Sequence, residues 1–142
     1  MVAGDLDGDI FSDISAALGG SLATASSIIE SKDGTMLYEA PHGTAHDLYL
    51  KYVQSEGKEA HFNSSALIYA VANALETLAL REDNEALAEY SRQLKEALIE
   101  TVAQGKITGD LKGKTTDPAT ETVLDMIGFL DAIEDNISSA GE

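Results

Sequence analysis

Apolar side chains recur at helical spacing along most of this chain, and the alternation that marks a strand is confined to short stretches. The first helical stretch covers residues 9–18. Ile10, Ile14, Ala17 and Leu18 lie on the side predicted to be buried, and Gly19-Gly20 stands where a C-cap belongs. Residues 1–4 read as the tail of a strand. Residues 21–31 are small and weakly helical; Ser21 would cap them, and Leu22, Ile28 and Ile29 would face inward. Lys32-Asp33-Gly34-Thr35 is a turn signal, and residues 35–39 after it read as a strand.

Further along, residues 44–54 predict a helix with Leu48, Tyr49, Tyr52 and Val53 available for packing, ended by Ser55-Glu56-Gly57-Lys58. Asn63 or Ser64 caps the next helix. Its stripe is Leu67, Val71, Leu75 and Leu78, while Ala66, Ala70, Ala72 and Ala74 would let a neighbour approach closely. Asp83 is expected to cap another helix carrying Leu87, Tyr90, Leu94, Leu98 and Val102, with Gly105 beyond its end. Asp117-Pro118 reads as the start of the last helix, with proline at its first position. Val123, Ile127, Leu130 and Ile133 continue that helix towards Ile137, and residues 138–142 look like a frayed end. Strands this few leave edges that need partners. Either some are misassigned, or the chain is a fragment of a larger α/β domain.

Composition narrows the function classes. At 142 residues the chain is one domain or part of one, large enough to bury a core. It has no cysteine, which excludes a disulfide framework and a thiolate metal site. No apolar run is long enough to span a membrane, and the N-terminus lacks a signal peptide's basic region, so a soluble, non-secreted chain is expected. The 25 acidic and 9 basic residues give a net charge of −16, which argues against nucleic-acid and anionic membrane partners. Such a surplus is most often a solvated surface.

Two stretches carry candidate chemistry. In Asp7-Gly8-Asp9-Ile10-Phe11-Ser12-Asp13, Asp9 and Asp13 lie one helical turn apart on one face, where both carboxylates could reach one hard cation. On the residues alone, the commoner role for such acids is to sit exposed in the first turns of a helix, favoured by its dipole. An EF-hand reading of Asp5, Asp7 and Asp9 fails, because Ile10 stands where the loop glycine should be and Ala16 where the glutamate should be. The second stretch, Glu39-Ala40-Pro41-His42-Gly43-Thr44-Ala45-His46-Asp47, has the small residues and donors that suit a phosphate-bearing ligand at a helix start. His42 by itself is more often a structural loop histidine. Asn63 as a plain helix cap is the stronger local reading, and is compatible with a ligand role. His46 and His61 are read as surface residues.

These motifs have a family likeness. Asp7-Gly8-Asp9-Ile10-Phe11-Ser12-Asp13-Ile14 followed by Gly20-Ser21-Leu22 resembles the metal-binding segment of the isocitrate and isopropylmalate dehydrogenases. The stretch from Glu39 through His42 to Asp47 resembles their adenine-nucleotide loop, and Phe62-Asn63-Ser64 matches the position where an asparagine meets the adenine. Ile107-Thr108-Gly109-Asp110-Leu111 and Phe129-Leu130-Asp131-Ala132-Ile133 resemble C-terminal motifs of the homodimeric, eukaryotic-like isocitrate dehydrogenases. The similarity runs over residues 7–136, with the motifs in the family's order and spacing.

The resemblance implies an α/β fold of the family's type, mostly helical in this segment with few strands. Residues 1–142 would form the C-terminal metal- and cofactor-binding part of a larger dehydrogenase domain. It implies Mg2+ or Mn2+ on Asp9 and Asp13, and a dinucleotide on His42, Gly43, Thr44, Ala45, Asp47, Asn63 and Asp110. The substrate would be isocitrate, oxidatively decarboxylated to 2-oxoglutarate in a homodimer in the cytoplasm or mitochondrial matrix. The family's substrate-binding arginines, catalytic lysine and tyrosine, and the aspartate contributed by the second subunit have no counterpart here, so the chain alone is expected to be inactive. Where NADP-using members carry an arginine and a histidine, this chain has Asp47 and Leu48, and Gly109 replaces a lysine. An aspartate there suits free ribose hydroxyls and repels a 2′-phosphate, which points to NAD over NADP. Two other functions stay open: a non-catalytic nucleotide-binding or interaction module, and part of an isopropylmalate-type enzyme.

Overall fold

The chain reverses direction at Asp83-Asn84, and that reversal builds its best-packed part. The computed structural model describes residues 4–18, 21, 24–41, 46–56 and 62–140, the side chains at 5, 6, 9, 139 and 140 excepted. Helix α3 (Ser65–Glu82) ends when Asp83 turns left-handed, at φ 51° and ψ 45°. The Asn84 side chain then accepts a hydrogen bond from the backbone N–H of Leu87 at 3.0 Å and opens α4 (Glu85–Ala103). Asp83 is therefore the stop of one helix and Asn84 the start of the next. Both residue types tolerate the left-handed region, and the asparagine in extended backbone is the one free to cap.

Helix α3 meets α4 along small residues. Ala66, Ala70, Ala72 and Ala79 are buried, and the Ser91 hydroxyl of α4 donates to the Ala72 carbonyl at 2.8 Å. The stripe predicted for α3 is corrected: Leu67, Val71 and Leu78 are exposed, and Leu75 is half-buried. Two helices in close contact select alanines for the seam and turn the leucines outward. The last helix, α5 (Met126–Ala140), packs on α4 and closes a core of Ala97, Leu98, Phe129 and Ile133. Phe129 is fully buried, whereas Ile127 is 58% exposed and Leu130 partly so. The helix begins only after Asp125, whose carboxylate accepts from the Gly128 N–H at 2.8 Å, so its inward face is set from there. Asp117-Pro118 opens a single 3-10 turn, Pro118–Thr120, and no longer helix. Residues 138–140 remain helical.

Between these helices, β3 (Lys106–Ile107) pairs in parallel with β4 (Thr122–Val123). Val123 thus belongs to a strand and not to the last helix. Ahead of them, β1 (Ser27–Glu30) and β2 (Met36–Glu39) form an antiparallel hairpin around the turn at Asp33-Gly34. Where a weak helix is predicted over residues 21–31, Ser27–Glu30 form a strand, as β-branched Ile28-Ile29 beside a turn signal favours, while Leu22 lies outside the described residues. The hairpin leans on α3: Tyr38 donates to the Thr77 hydroxyl at 2.5 Å, and Arg81 to the Gly34 carbonyl at 2.9 Å.

Among the described residues, neither helix α1 (Asp5–Leu18) nor α2 (His46–Gln54) packs broadly on another element. The stripes predicted to bury them do not: Ile10, Ile14, Ala17, Tyr49, Tyr52 and Val53 are exposed, and Leu18 is 84% exposed. Ile28 and Ile29 of β1 are likewise exposed. Periodicity marks a face that can be covered; here nothing among the described residues covers it. The strand expected at residues 1–4 and the glycine stop at 19–20 fall outside the described residues, apart from Gly4, which lies in no strand.

Candidate functional site

The end of α4 sets up the site. Gly105, at φ +78°, turns the chain out of the helix into β3. The carbonyls of Gly105 and Ile107 accept from the N–H groups of Thr122 and Leu124, at 2.8 and 2.7 Å. Ile107 is fully buried and β3 packs on α4 and α5; Thr108, also fully buried, and Asp110 follow directly from it. Residues Gly109–Leu111 form one 3-10 turn.

Asp110 gathers donors from three segments. The Thr108 hydroxyl donates to Asp110 Oδ1 at 2.6 Å. The Ser21 hydroxyl donates to Oδ2 at 2.5 Å, and Asn63 Nδ2 donates to the same oxygen at 2.9 Å. Burial pushes this half-buried carboxyl up, but the bonds from Asn63, Ser21, Thr108 and its own backbone N–H outweigh that, holding it below its ordinary value. It is a carboxylate at neutral pH. Hydrogen bonds to a charged acceptor are worth about 1.5–3 kcal/mol each before the cost of desolvation.

Asn63 is 3% exposed and sits just before α3. Its Oδ1 accepts from the Ser65 N–H at 2.9 Å in a short side-chain turn ahead of the helix, while Nδ2 reaches Asp110. Of the two residues expected to cap α3, Ser64 holds the N-cap position, but its side chain makes no cap bond. Ser65 also lines a cavity of about 470 Å³ with Tyr69, Leu98, Val102, Leu111 and Thr115.

Of the residues singled out by sequence, the structure joins Asn63 and Asp110. Asp13 is exposed on α1, and Asp9 lies one turn earlier with its side chain outside the described residues. Asp47 is exposed in the first turn of α2. His42, Gly43, Thr44 and Ala45 lie outside the described residues. Among the described residues, no hydrogen bond or ion pair ties Asp13 or Asp47 to the Asn63–Asp110 pair. Sequence reasoning missed Ser21 and Thr108 as members of the cluster. Thr108 had a local signal, a hydroxyl two residues before a carboxylate, which commonly closes a side-chain turn. Ser21 had none, being 89 residues from its acceptor.

The family model described as isocitrate/isopropylmalate dehydrogenase matches residues 1–127. The chain is 33% identical over 136 residues to "Isocitrate dehydrogenase [NADP], chloroplastic/mitochondrial" of Arabidopsis thaliana, across 94% of this chain and 28% of that protein. It is 33% identical over 139 residues to the mitochondrial NADP isocitrate dehydrogenase of Homo sapiens, across 94% and 30%. Against the NADP isocitrate dehydrogenase of Solanum tuberosum it is 34% identical over 137 residues, across 94% and 32%. The chain therefore spans under a third of the length of these relatives.

Proposed function

Because the chain belongs to the isocitrate/isopropylmalate dehydrogenase family, we propose that it is the metal- and cofactor-binding part of an NAD-dependent isocitrate dehydrogenase. The observation that carries this reading is the Asn63–Asp110 pair, a buried amide held in one orientation beside a carboxylate. An asparagine amide can pair with adenine through a donor and an acceptor at once. In this reading His42, Gly43, Thr44, Ala45 and Asp47 line the rest of the nucleotide site, with Asp110 supporting it. Asp9 and Asp13 contribute oxygen ligands for Mg2+ or Mn2+. The exposed carboxylate of Asp13 has the right chemistry for a hard cation, and no group of three His, Cys, Asp or Glu completes a site among the described residues. The remaining ligands would come from elsewhere in a homodimer. The metal, when bound, supplies Lewis acidity at the isocitrate hydroxyl and carboxylate.

The preference for NAD rests on Asp47. It is exposed at the start of α2, where a 2′-phosphate would meet a negative charge and ribose hydroxyls would meet an acceptor. The relatives from Arabidopsis thaliana, Homo sapiens and Solanum tuberosum are named for NADP, so a preference for NAD would set this chain apart from them. No turnover is expected from this chain by itself, since its 9 basic residues include no counterpart of the family's substrate-binding arginines. A location in the cytoplasm or mitochondrial matrix fits the reading. No helix among the described residues is long and apolar enough to cross a membrane.

The test is a calorimetric titration of the chain with 5′-AMP and with adenosine 2′,5′-bisphosphate. Binding of 5′-AMP that is weakened by the 2′-phosphate supports the reading. Tighter binding of the bisphosphate overturns the NAD assignment, and no binding of either overturns the nucleotide site.

A further inference from the structure

Asp110 has little left to offer a ligand. A carboxylate presents roughly four acceptor positions. Ser21 and Asn63 occupy Oδ2, and Thr108 occupies one position on Oδ1. Asn63 is the reverse case. Its Oδ1 accepts one bond, from Ser65, and its Nδ2 donates one, to Asp110. One N–H and one lone pair therefore remain on the amide, the pair of functions that adenine's N6 and N7 edge can meet.

The two protein bonds also decide which way the amide points. If it flipped, Oδ1 would face the Asp110 carboxylate and Nδ2 would face the Ser65 N–H, acceptor against acceptor and donor against donor. Each end alone would discourage the flip; together they forbid it.

We propose that Asp110 is a positioning residue that locks the Asn63 amide for adenine recognition and does not itself touch the nucleotide. Ser21 and Thr108 serve the same end by fixing the carboxylate. Ser21 thereby ties the segment following α1 to the nucleotide side of the site. This role rests on the nucleotide-site reading given above, and it goes beyond that reading in separating the residue that reads the base from the one that aims it.

A double-mutant cycle with 5′-AMP as the probe tests it, using the full chain labelled with 15N and a thermal melt as the folding control. In the wild type, 5′-AMP should shift the Asn63 side-chain amide signals. Asn63→Ala and Asp110→Asn should each weaken 5′-AMP binding by about tenfold, the size of one lost base-pairing function. Asn63→Ala combined with Asp110→Asn should bind no more weakly than Asn63→Ala alone. Losses that multiply would overturn the proposal, because they would mean Asp110 contacts the nucleotide independently. An Asn63 amide signal unchanged by Asp110→Asn would overturn it as well. If Asp110→Asn does not fold, Ser21→Ala and Thr108→Val take its place. Each should weaken binding a few-fold in the wild type and not at all with Asn63→Ala, and an effect that persists in that background sinks the idea. Should 5′-AMP leave every wild-type signal unmoved, the nucleotide-site reading itself fails, an outcome distinct from multiplied losses.

Discussion

Replacing Gly105 by alanine separates two costs that the fold lets one compare. Gly105 lies at φ +78°, where a residue with a Cβ loses about 1 kcal/mol or more. A Cβ there would also stand 2.7 Å from the Thr120 carbonyl oxygen and 3.2 Å from its carbon. Both atoms are backbone, so the segment carrying Thr120 must move. That movement strains the bond from the Thr122 N–H to the Gly105 carbonyl, 2.8 Å long, which contributes about 1 kcal/mol. The expected loss is about 2–4 kcal/mol. Gly34 is the control. It has nearly the same backbone angle, φ +82°, with nothing within 4 Å of a Cβ, so Gly34→Ala should cost about 1 kcal/mol. Urea unfolding of both variants, with unchanged slopes, measures the difference. Because Thr108 and Asp110 follow directly from the strand that Gly105 starts, Gly105→Ala should also shift the Asn63 side-chain amide signal, and Gly34→Ala should not. Equal losses in the two variants would refute the argument that the contact with Thr120 matters.

Asp47→Arg with Leu48→His should reverse the preference between 5′-AMP and adenosine 2′,5′-bisphosphate. Across water at about 5 Å each pair of like charges costs about 0.8 kcal/mol, so repulsion and lost pairing together amount to about one to two decades. An unmoved ratio in the titration would show that Asp47 is not the selector. Asp110 has a lowered folded pKa, so its contribution to stability is fully present above the unfolded value of about 3.9 and is lost as pH falls through the folded value. The stability gap between wild type and Asp110→Asn should accordingly be constant near neutrality and shrink only in acid; a gap that shrinks instead as pH rises from neutrality would reverse the assignment. Mn2+ should preferentially broaden NMR signals of α1, and Asp9→Asn with Asp13→Asn should remove that preference while leaving the fold intact. Broadening indifferent to both substitutions would count against the metal site.

Much of the helical layout was legible, and its errors share a cause. Periodicity located α3, α4 and α5, and Asn63-Ser64 marked where α3 starts, because those signals are local and the pattern repeats over several turns. It erred on which face was buried. In α3 it favoured the leucines, since larger apolar side chains carry more transfer energy, yet contact between two helix backbones chose the alanines. At Asp83 two adjacent residues could both cap, and the backbone conformation that ended α3 decided between them. At residues 27–30 a run read as weakly helical is a strand whose register is set by its partner β2, outside the stretch itself.

Faces and clusters are the harder part, for a physical reason. An amphipathic stripe such as Ile10, Ile14 and Leu18 records that a surface is suited to being covered, but it contains no information about the partner. Helices α1 and α2 expose such stripes in a chain spanning 28–32% of the length of the relatives it matches. Asp110 is the opposite case. Its donors lie 2, 47 and 89 residues away, and only the first separation leaves a trace in local spacing. Asn63 and Asp110 could each be named from the family's motifs. That one acceptor-filled carboxylate aims the other's amide is a consequence of how three segments converge, and it enters the account only once their oxygen and nitrogen atoms are placed.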